Sequence, residues 1–291
     1  MAAKLLAFEG VLSSYDEASC PPAFQLSAVS YAYEEAIPAL KEISLRIDCG
    51  EKVALLGSNG SGKSTLLKLM NGLIHPTSGT VSAFGEEITE KALRHETFAH
   101  RFRRRVGFVF QNSDAQLFCA TVREEIAFGP LQMGMSQVEV TQRIEDVAAM
   151  LGIGALLERP PYRLSCGEKK KVALASVLVI NPAVVLLDEP TAGLDPRSQR
   201  WLVHLLVRLH RAGKTLVTAT HDLSIVPEIA DRVIVLNEQH GIERVGTPRE
   251  ILADMELLLG VNLIHEHSHY HGTLYHSHLH YHSGAHEHNH P

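Results

Sequence analysis

From Phe24 onward the chain alternates short apolar runs with stretches of helical period. Five runs, KVALLG (52–57), RVGFVF (105–110), AVVLLD (183–188), TLVTAT (215–220) and RVIVLN (232–237), are nearly continuously apolar. Strands buried on both faces read this way, as in a parallel sheet covered by helices on either side. Helical stretches at 64–70, 136–150, 168–179 and 198–210 lie among them. The second opens with capping-box spacing, Ser136 to Glu139, and sets Val140, Ile144, Val147 and Leu151 in one stripe. The segment from about Ser113 to Tyr162 has no such strand, so an inserted helical subdomain is expected over about 113–165. The order predicts a doubly wound α/β fold, in which ligands bind outside the carboxyl ends of the strands. Four of the five runs end in candidate chemistry: the Gly57 loop, Gln111, Asp188 with Glu189, and His221.

Composition adds exclusions. Of 291 residues 45% are apolar and 21% charged, which places the chain among globular proteins. Its 27 Lys and Arg against 33 Asp and Glu leave a net charge of −6, with no positive field for a nucleic acid. Cys20, Cys49, Cys119 and Cys166 stand far apart without a CxxC pair, so neither a disulfide framework nor a zinc knuckle is written here. The longest apolar run, Val172 to Ile180, broken only by Ser176, is nine residues, about half of what crosses a bilayer. The first residues lack a basic-plus-apolar leader, and 1–22 read as an extension ahead of the fold.

Gly57-Ser58-Asn59-Gly60-Ser61-Gly62-Lys63-Ser64 fits the pattern G-x-x-x-x-G-K-[ST], after a strand and opening a helix. Glycines let backbone N–H groups approach phosphate oxygens, and the helix N-terminus adds partial positive charge. Lys63 would reach the β- and γ-phosphates and Ser64 would ligate magnesium. Asp188, at a strand end, is placed to hold the magnesium shell, and Glu189 beside it to polarise an attacking water. A solvated turn is the alternative for this acidic pair. Gln111 can contact metal and water, or be a surface amide. His221 can bond a γ-phosphate oxygen and orient Glu189, or be structural. Leu164-Ser165-Cys166-Gly167-Glu168 precedes a helix and offers a second anion site, although Ser165 and Glu168 also have capping-box spacing.

Taken in order, GSNGSGKS, Gln111, LSCGE, VVLLDEP, AGLD (192–195) and His221 resemble the Walker A, Q-loop, signature, Walker B, D-loop and switch-histidine set of ABC-transporter ATPases. The resemblance covers about residues 24–250. It implies a P-loop NTPase (RecA-like) fold with a mainly parallel sheet, helices on both faces, an N-terminal antiparallel β region and the helical insert. It implies ATP and Mg2+ as cofactors, with Thr65 and Asp195 joining the site. It also implies a head-to-tail dimer in which ATP lies between Lys63 of one subunit and Ser165 of the other, so a second ATPase subunit, by preference an identical copy, completes each site. Tyr33 matches the family's adenine-stacking aromatic, with Tyr31 as rival. Where the family usually has Gly in the signature, this chain has Cys166, whose Cβ puts the turnover rate in question.

QNSDAQLFCATVREEIAFGP (111–130), GEKKKVALA and TAGLDP further resemble the ATPases of energy-coupling factor importers. That subgroup imports vitamins or transition metals, and its ATPases dock on an integral membrane coupling subunit that works with a substrate-binding membrane subunit. The resemblance implies a peripheral position on the cytoplasmic face of the membrane and places Gln116 to Phe118 at the groove for that partner. A short C-terminal helix is expected at 251–264. Nickel-delivering GTPases are a rival class, but no N-K-x-D guanine reader is present, and a soluble ABC protein would need paired ATPase units or a long coiled coil.

Residues 265–291 hold 11 of the chain's 18 histidines: His265, His267, His269, His271, His276, His278, His280, His282, His286, His288 and His290. A purification tag would be contiguous, whereas these alternate in three clusters. Imidazole suits nickel, cobalt, zinc and copper, so the tail reads as a transition-metal binder in otherwise unfolded chain. Together with the subgroup resemblance this favours cobalt or nickel (Ni2+/Co2+) over a vitamin as cargo.

Overall fold

The computed structural model describes residues 21–34, 37–271 and 274–281, those after Ile264 by their backbone course. Strands β1 (Phe24–Tyr33), β2 (Ile37–Ile47), β4 (Ser78–Ala83) and β5 (Glu86–Glu87) form an antiparallel sheet in the order β2-β1-β4-β5. Strands β3 (Lys52–Leu56), β6 (Val106–Val109), β7 (Val184–Asp188), β8 (Thr215–Thr220), β9 (Arg232–Leu236) and β10 (Ile242–Gly246) form the main sheet. Its order is β10-β9-β3-β8-β7-β6, parallel except for β10.

The helices are α1 (Lys63–Met70), α2 (Glu90–Leu93), α3 (Glu96–Arg105), α4 (Ser113–Gln116), α5 (Val122–Gln132), α6 (Gln137–Leu151), α7 (Cys166–Leu178), α8 (Pro196–Arg211), α9 (Val226–Ile229), α10 (Pro248–Ala253) and α11 (Met255–Gly260). Alternate residues of each central strand enter different cores, because successive side chains point to opposite faces. Val184 and Leu186 of β7 pack with Leu66 and Met70 of α1 and with the antiparallel sheet. Val185 and Leu187 pack with α7, α8 and the stripe Val140, Ile144, Val147 and Leu151 of α6. Ala54 and Leu56 of β3 meet a third core built on Leu223, Ile251 and Leu258. Coverage on both faces is why these runs carry no polar alternation.

Register brings the strand ends level. Leu56 pairs with Thr220, Asp188 with Ala219 and Val109 with Leu187, so the residues that follow emerge along one edge.

Two expectations are corrected. Residues 251–264 are not one helix: α10 stops at Asp254, whose backbone (φ −90, ψ 84) leaves the helical region while its carboxylate caps α11 at Leu257 N. The tail is not wholly without structure, since β11 (Ile264–His271) and β12 (Leu274–Tyr281) form an antiparallel hairpin. Alternation at every second residue is the period of a strand. The register sets His265 opposite His280, His267 opposite His278 and His269 opposite His276. His282, His286, His288 and His290 lie outside the described residues, as do residues 1–20 of the expected extension.

Candidate functional site

The Gly57 loop turns from β3 into α1, and its glycines are steric requirements. A Cβ on Gly57 would lie 2.4 Å from Ser61 Oγ, and one on Gly62 would lie 2.3 Å from the Ala39 carbonyl oxygen. Gly62 is the N-cap of α1 in left-handed conformation (φ 105) and supplies no side-chain cap, which leaves first-turn amides free for an anion. The Ser58 and Ser61 hydroxyls are buried without a partner among the described residues. Unclaimed donors in a cradle too narrow for a side chain fit a phosphate group.

Lys63 is 5% exposed. Its Nζ donates to the carbonyls of Gly57 (2.8 Å) and Ser58 (3.1 Å) and stands 3.7 Å from Glu189 Oε1. Burial pushes its pKa below the usual lysine value, against the opposing pull of Glu189 and Asp188. Ser64 Oγ donates to Asp188 Oδ1 at 2.8 Å. Burial raises the Asp188 pKa, and the Ser64 bond opposes this. A hydroxyl and a carboxylate are the hard oxygen donors that suit Mg2+.

Asp188 and Glu189 are adjacent yet face different groups, because Glu189 sits in the left-handed region (φ 42) where a side-chain residue is strained. Its amide donates to the Ala219 carbonyl (2.9 Å), which holds the turn against β8. Glu189 Oε1 stands 2.9 Å from His221 Nδ1, an ion-pair contact off the axis of a good hydrogen bond. That contact raises the His221 pKa while desolvation opposes it. A raised folded-state value makes a contribution to stability that is full below the unfolded pKa of about 6.5 and lost as pH rises through the folded value. His221→Ala should therefore show its largest deficit in thermal midpoint below about pH 6, narrowing at higher pH. Denaturation scans across this range check it, and a gap independent of pH would remove the coupling.

A cavity of about 480 Å³ opens beside the loop, lined by Tyr33, Asn59, Gly60, Lys63, Ser64, Thr65, Gln111 and Glu189. That is a volume typical of small-molecule sites. Tyr33, not Tyr31, lines it: the Tyr33 hydroxyl is 3.2 Å from Thr65 Oγ1, while Tyr31 packs edge-on behind it with centroids 4.9 Å apart. Ile37, Pro38 and His240 line the same cavity and were not legible as site residues. His240 arrives on the turn between β9 and β10, where its carbonyl accepts from Lys41 N at 2.9 Å, a contact between two sheets that no local motif marks.

Leu164 to Glu168 line neither this cavity nor the larger one behind Glu189 and His221. Leu164 is buried, whereas Ser165 and Cys166 are exposed. The structure shows the capping reading of Ser165. Its hydroxyl accepts from Glu168 N (3.3 Å) and Glu168 Oε2 accepts from Ser165 N (2.8 Å), closing a capping box that leaves the segment rigid and outward-facing. A Cβ on Gly167 would come within 2.9 Å of Ser198 Oγ. Asp195 caps α8 through Arg197 N (2.9 Å) and Ser198 N (3.0 Å).

The sheet order and the loop with its attendant Lys63, Asp188 and Glu189 define a P-loop nucleotide hydrolase. Residues 40–192 match the ABC transporter family, and the chain belongs to that family as an ATP-binding, ATP-hydrolysing subunit. A putative ABC transporter ATP-binding protein of Caldanaerobacter subterraneus is 56% identical over 241 residues, 83% of this chain and 98% of its own. The nickel import ATP-binding protein NikO of Rhodobacter capsulatus is 48% identical over 246 residues, covering 84% and 96%. Among solved structures, cbiO1 of Clostridium perfringens, part of the ABC transporter complex cbiONQ, superposes with TM-score 0.71 at 38% identity, covering 83% of this chain and 95% of that one. An ATP-binding cassette dimer in a post-hydrolysis state with ADP and Pi has TM-score 0.70 at 31% identity, covering 78% and 99%.

Proposed function

We propose that this subunit energises an importer of the energy-coupling factor type whose cargo is cobalt or nickel. The observation that carries the reading is a cassette 48% identical to a nickel import ATPase continued by a segment with 11 histidines. In a vitamin importer that segment would be incidental.

In this reading two copies meet head to tail. Tyr33 stacks on adenine, the amides of Gly57 to Thr65 bind the phosphates, and Lys63 exchanges its loop carbonyls for β- and γ-phosphate oxygens. Ser64, Asp188 and Gln111 hold magnesium, which when bound neutralises developing charge on the phosphates. Glu189 accepts a proton from the attacking water. His221, whose protonated form Glu189 favours, donates to a γ-phosphate oxygen, and Ser165 of the second copy closes the site with Asp195 nearby.

Among the described residues no helix is long and apolar enough to cross a membrane, so transport needs integral membrane partners. Phe118 and Phe128 support such docking. They are 67% and 44% exposed and pack edge to face at 5.0 Å, an aromatic pair on the helical insert without a cover among the described residues. The subunit then sits at the cytoplasmic face of the membrane.

The tail binds the cargo metal in this reading. Truncation after Ile264 should remove most Ni2+ or Co2+ bound by the isolated subunit while ATP hydrolysis stays intact, and binding by the full chain should weaken as protons compete through the imidazole range. Calorimetry with both metals, alongside uptake assays on the whole transporter with competing ions, tests it. A truncated chain that held as much metal as the full one would favour the vitamin reading.

A further inference from the structure

Two side chains with no assigned part in nucleotide binding, Lys170 within GEKKKVALA and Gln116 within the segment after Gln111, hold the Gln111 segment from behind. Lys170, on α7, is 2% exposed, and its Nζ donates to the carbonyls of Phe110 (3.2 Å) and Gln111 (2.9 Å). Gln116, at the end of α4, accepts from Phe110 N (3.1 Å) and donates to Ala173 O (2.9 Å) and Ser176 Oγ (3.3 Å), both on α7. The Phe110 N–H, the Phe110 carbonyl and the Gln111 carbonyl are thus all bound to α7, directly or through one amide. Gln116 is therefore a tie inside the subunit as well as a neighbour of the exposed Phe118.

A hydrogen bond from a charged donor contributes more than a neutral one. Separating Lys170 from its two carbonyls would strand a buried cation that has no ion pair among the described residues, and such separations are costly. Lys170 is also about one helical turn from Cys166, and the capping box makes Ser165 rigid with that turn. The segment facing this subunit's own phosphates and the segment offered to the neighbouring copy are two ends of one short lever.

We propose that Lys170, assisted by Gln116, is a positioning residue that makes Gln111 and the signature helix move as one body, so that nucleotide in one subunit's own site sets how Ser165 is presented to the second site. The inference rests on the head-to-tail dimer proposed above.

The test uses Lys170→Met, which keeps the apolar stem and deletes the cation, with Lys170→Arg as the conservative control. Monomer affinity is read with a fluorescent ATP analogue, and ATP-driven dimerisation by sedimentation in a Glu189→Gln background. Lys170→Met should leave monomer affinity within about twofold and weaken dimerisation about tenfold or more, the loss expected from charged hydrogen bonds. In the otherwise unaltered chain kcat should fall with KM little changed. Lys170→Arg should recover most of both. Combining Lys170→Met with Gln111→Ala should cost no more than the larger single effect, because both break one connection. Gln116→Leu, run through the same cycle, serves if Lys170→Met does not fold. Normal dimerisation and kcat, or effects of Lys170→Met and Gln111→Ala that simply multiply, would overturn the inference. Failure of the Glu189→Gln parent itself to dimerise on ATP would instead bring down the dimer reading, and this inference with it.

Discussion

Glu189→Gln should slow ATP turnover by about 10² to 10⁴, the usual contribution of a positioned general base, while ATP binding is kept. The amide has the same shape, so the left-handed turn and the Ala219 contact persist. What changes is charge and basicity at an atom 2.9 Å from His221 and 3.7 Å from Lys63. Losing a negative charge beside the γ-phosphate position leaves ATP affinity unchanged or improved. Lys63 keeps its bonds to Gly57 and Ser58 in the absence of nucleotide. Single-turnover hydrolysis at saturating ATP, with a separate equilibrium titration, distinguishes the two effects. Turnover near that of the unaltered chain would take Glu189 out of the proton-accepting role.

Lys63→Ala should act on the other quantity. The ammonium contacts phosphate oxygens already in the ground state, so its removal weakens binding as well as turnover. Hydrogen bonds to charged groups contribute roughly 1.5–3 kcal/mol, which corresponds to a loss of about 10- to 10²-fold in ATP affinity. The substitution also takes the nearby ammonium from the buried Glu189, leaving it the His221 contact, and strips the Gly57 and Ser58 carbonyls of their donor. Calorimetric titration with ATP checks the prediction. Unchanged affinity would mean that the Gly57 loop does not cradle phosphate in the manner argued.

Local order determined what the sequence could show. A phosphate loop is consecutive chain between a strand and a helix, so Gly57 to Ser64 carried its own context. Strands buried on both faces have no polar alternation, and β3, β7, β8 and β9 followed the apolar runs to within a residue or so at their ends. Helix α6 ran from Gln137 with Ser136 as its cap because both signals lie within one turn. Helix α3 was missed since ETFAHRFRRR offers only a short stripe, Phe98, Ala99 and Phe102, in an otherwise polar segment.

Tertiary structure decided the rest. Asp188, Glu189 and His221 meet because β8 pairs with both β3 and β7, an order that the sequence of strands does not contain. The strain at Glu189 arises where β7 is held against β8, and nothing in VVLLDEP announces a left-handed turn. In the sequence Lys170 is one of three consecutive lysines that nothing distinguishes, and the packing of α7 against the Gln111 segment makes it the buried donor. Tyr33 was separated from Tyr31 by which ring the cavity reached, and His240 entered through contact between two sheets. The histidine tail shows the division within one segment: its period of two was in the sequence, whereas the pairing of His267 with His278 is a matter of register. Period is a property of neighbouring residues, but strand order, register and burial depend on which distant segments exclude water from one another, and that is settled only when the whole chain packs.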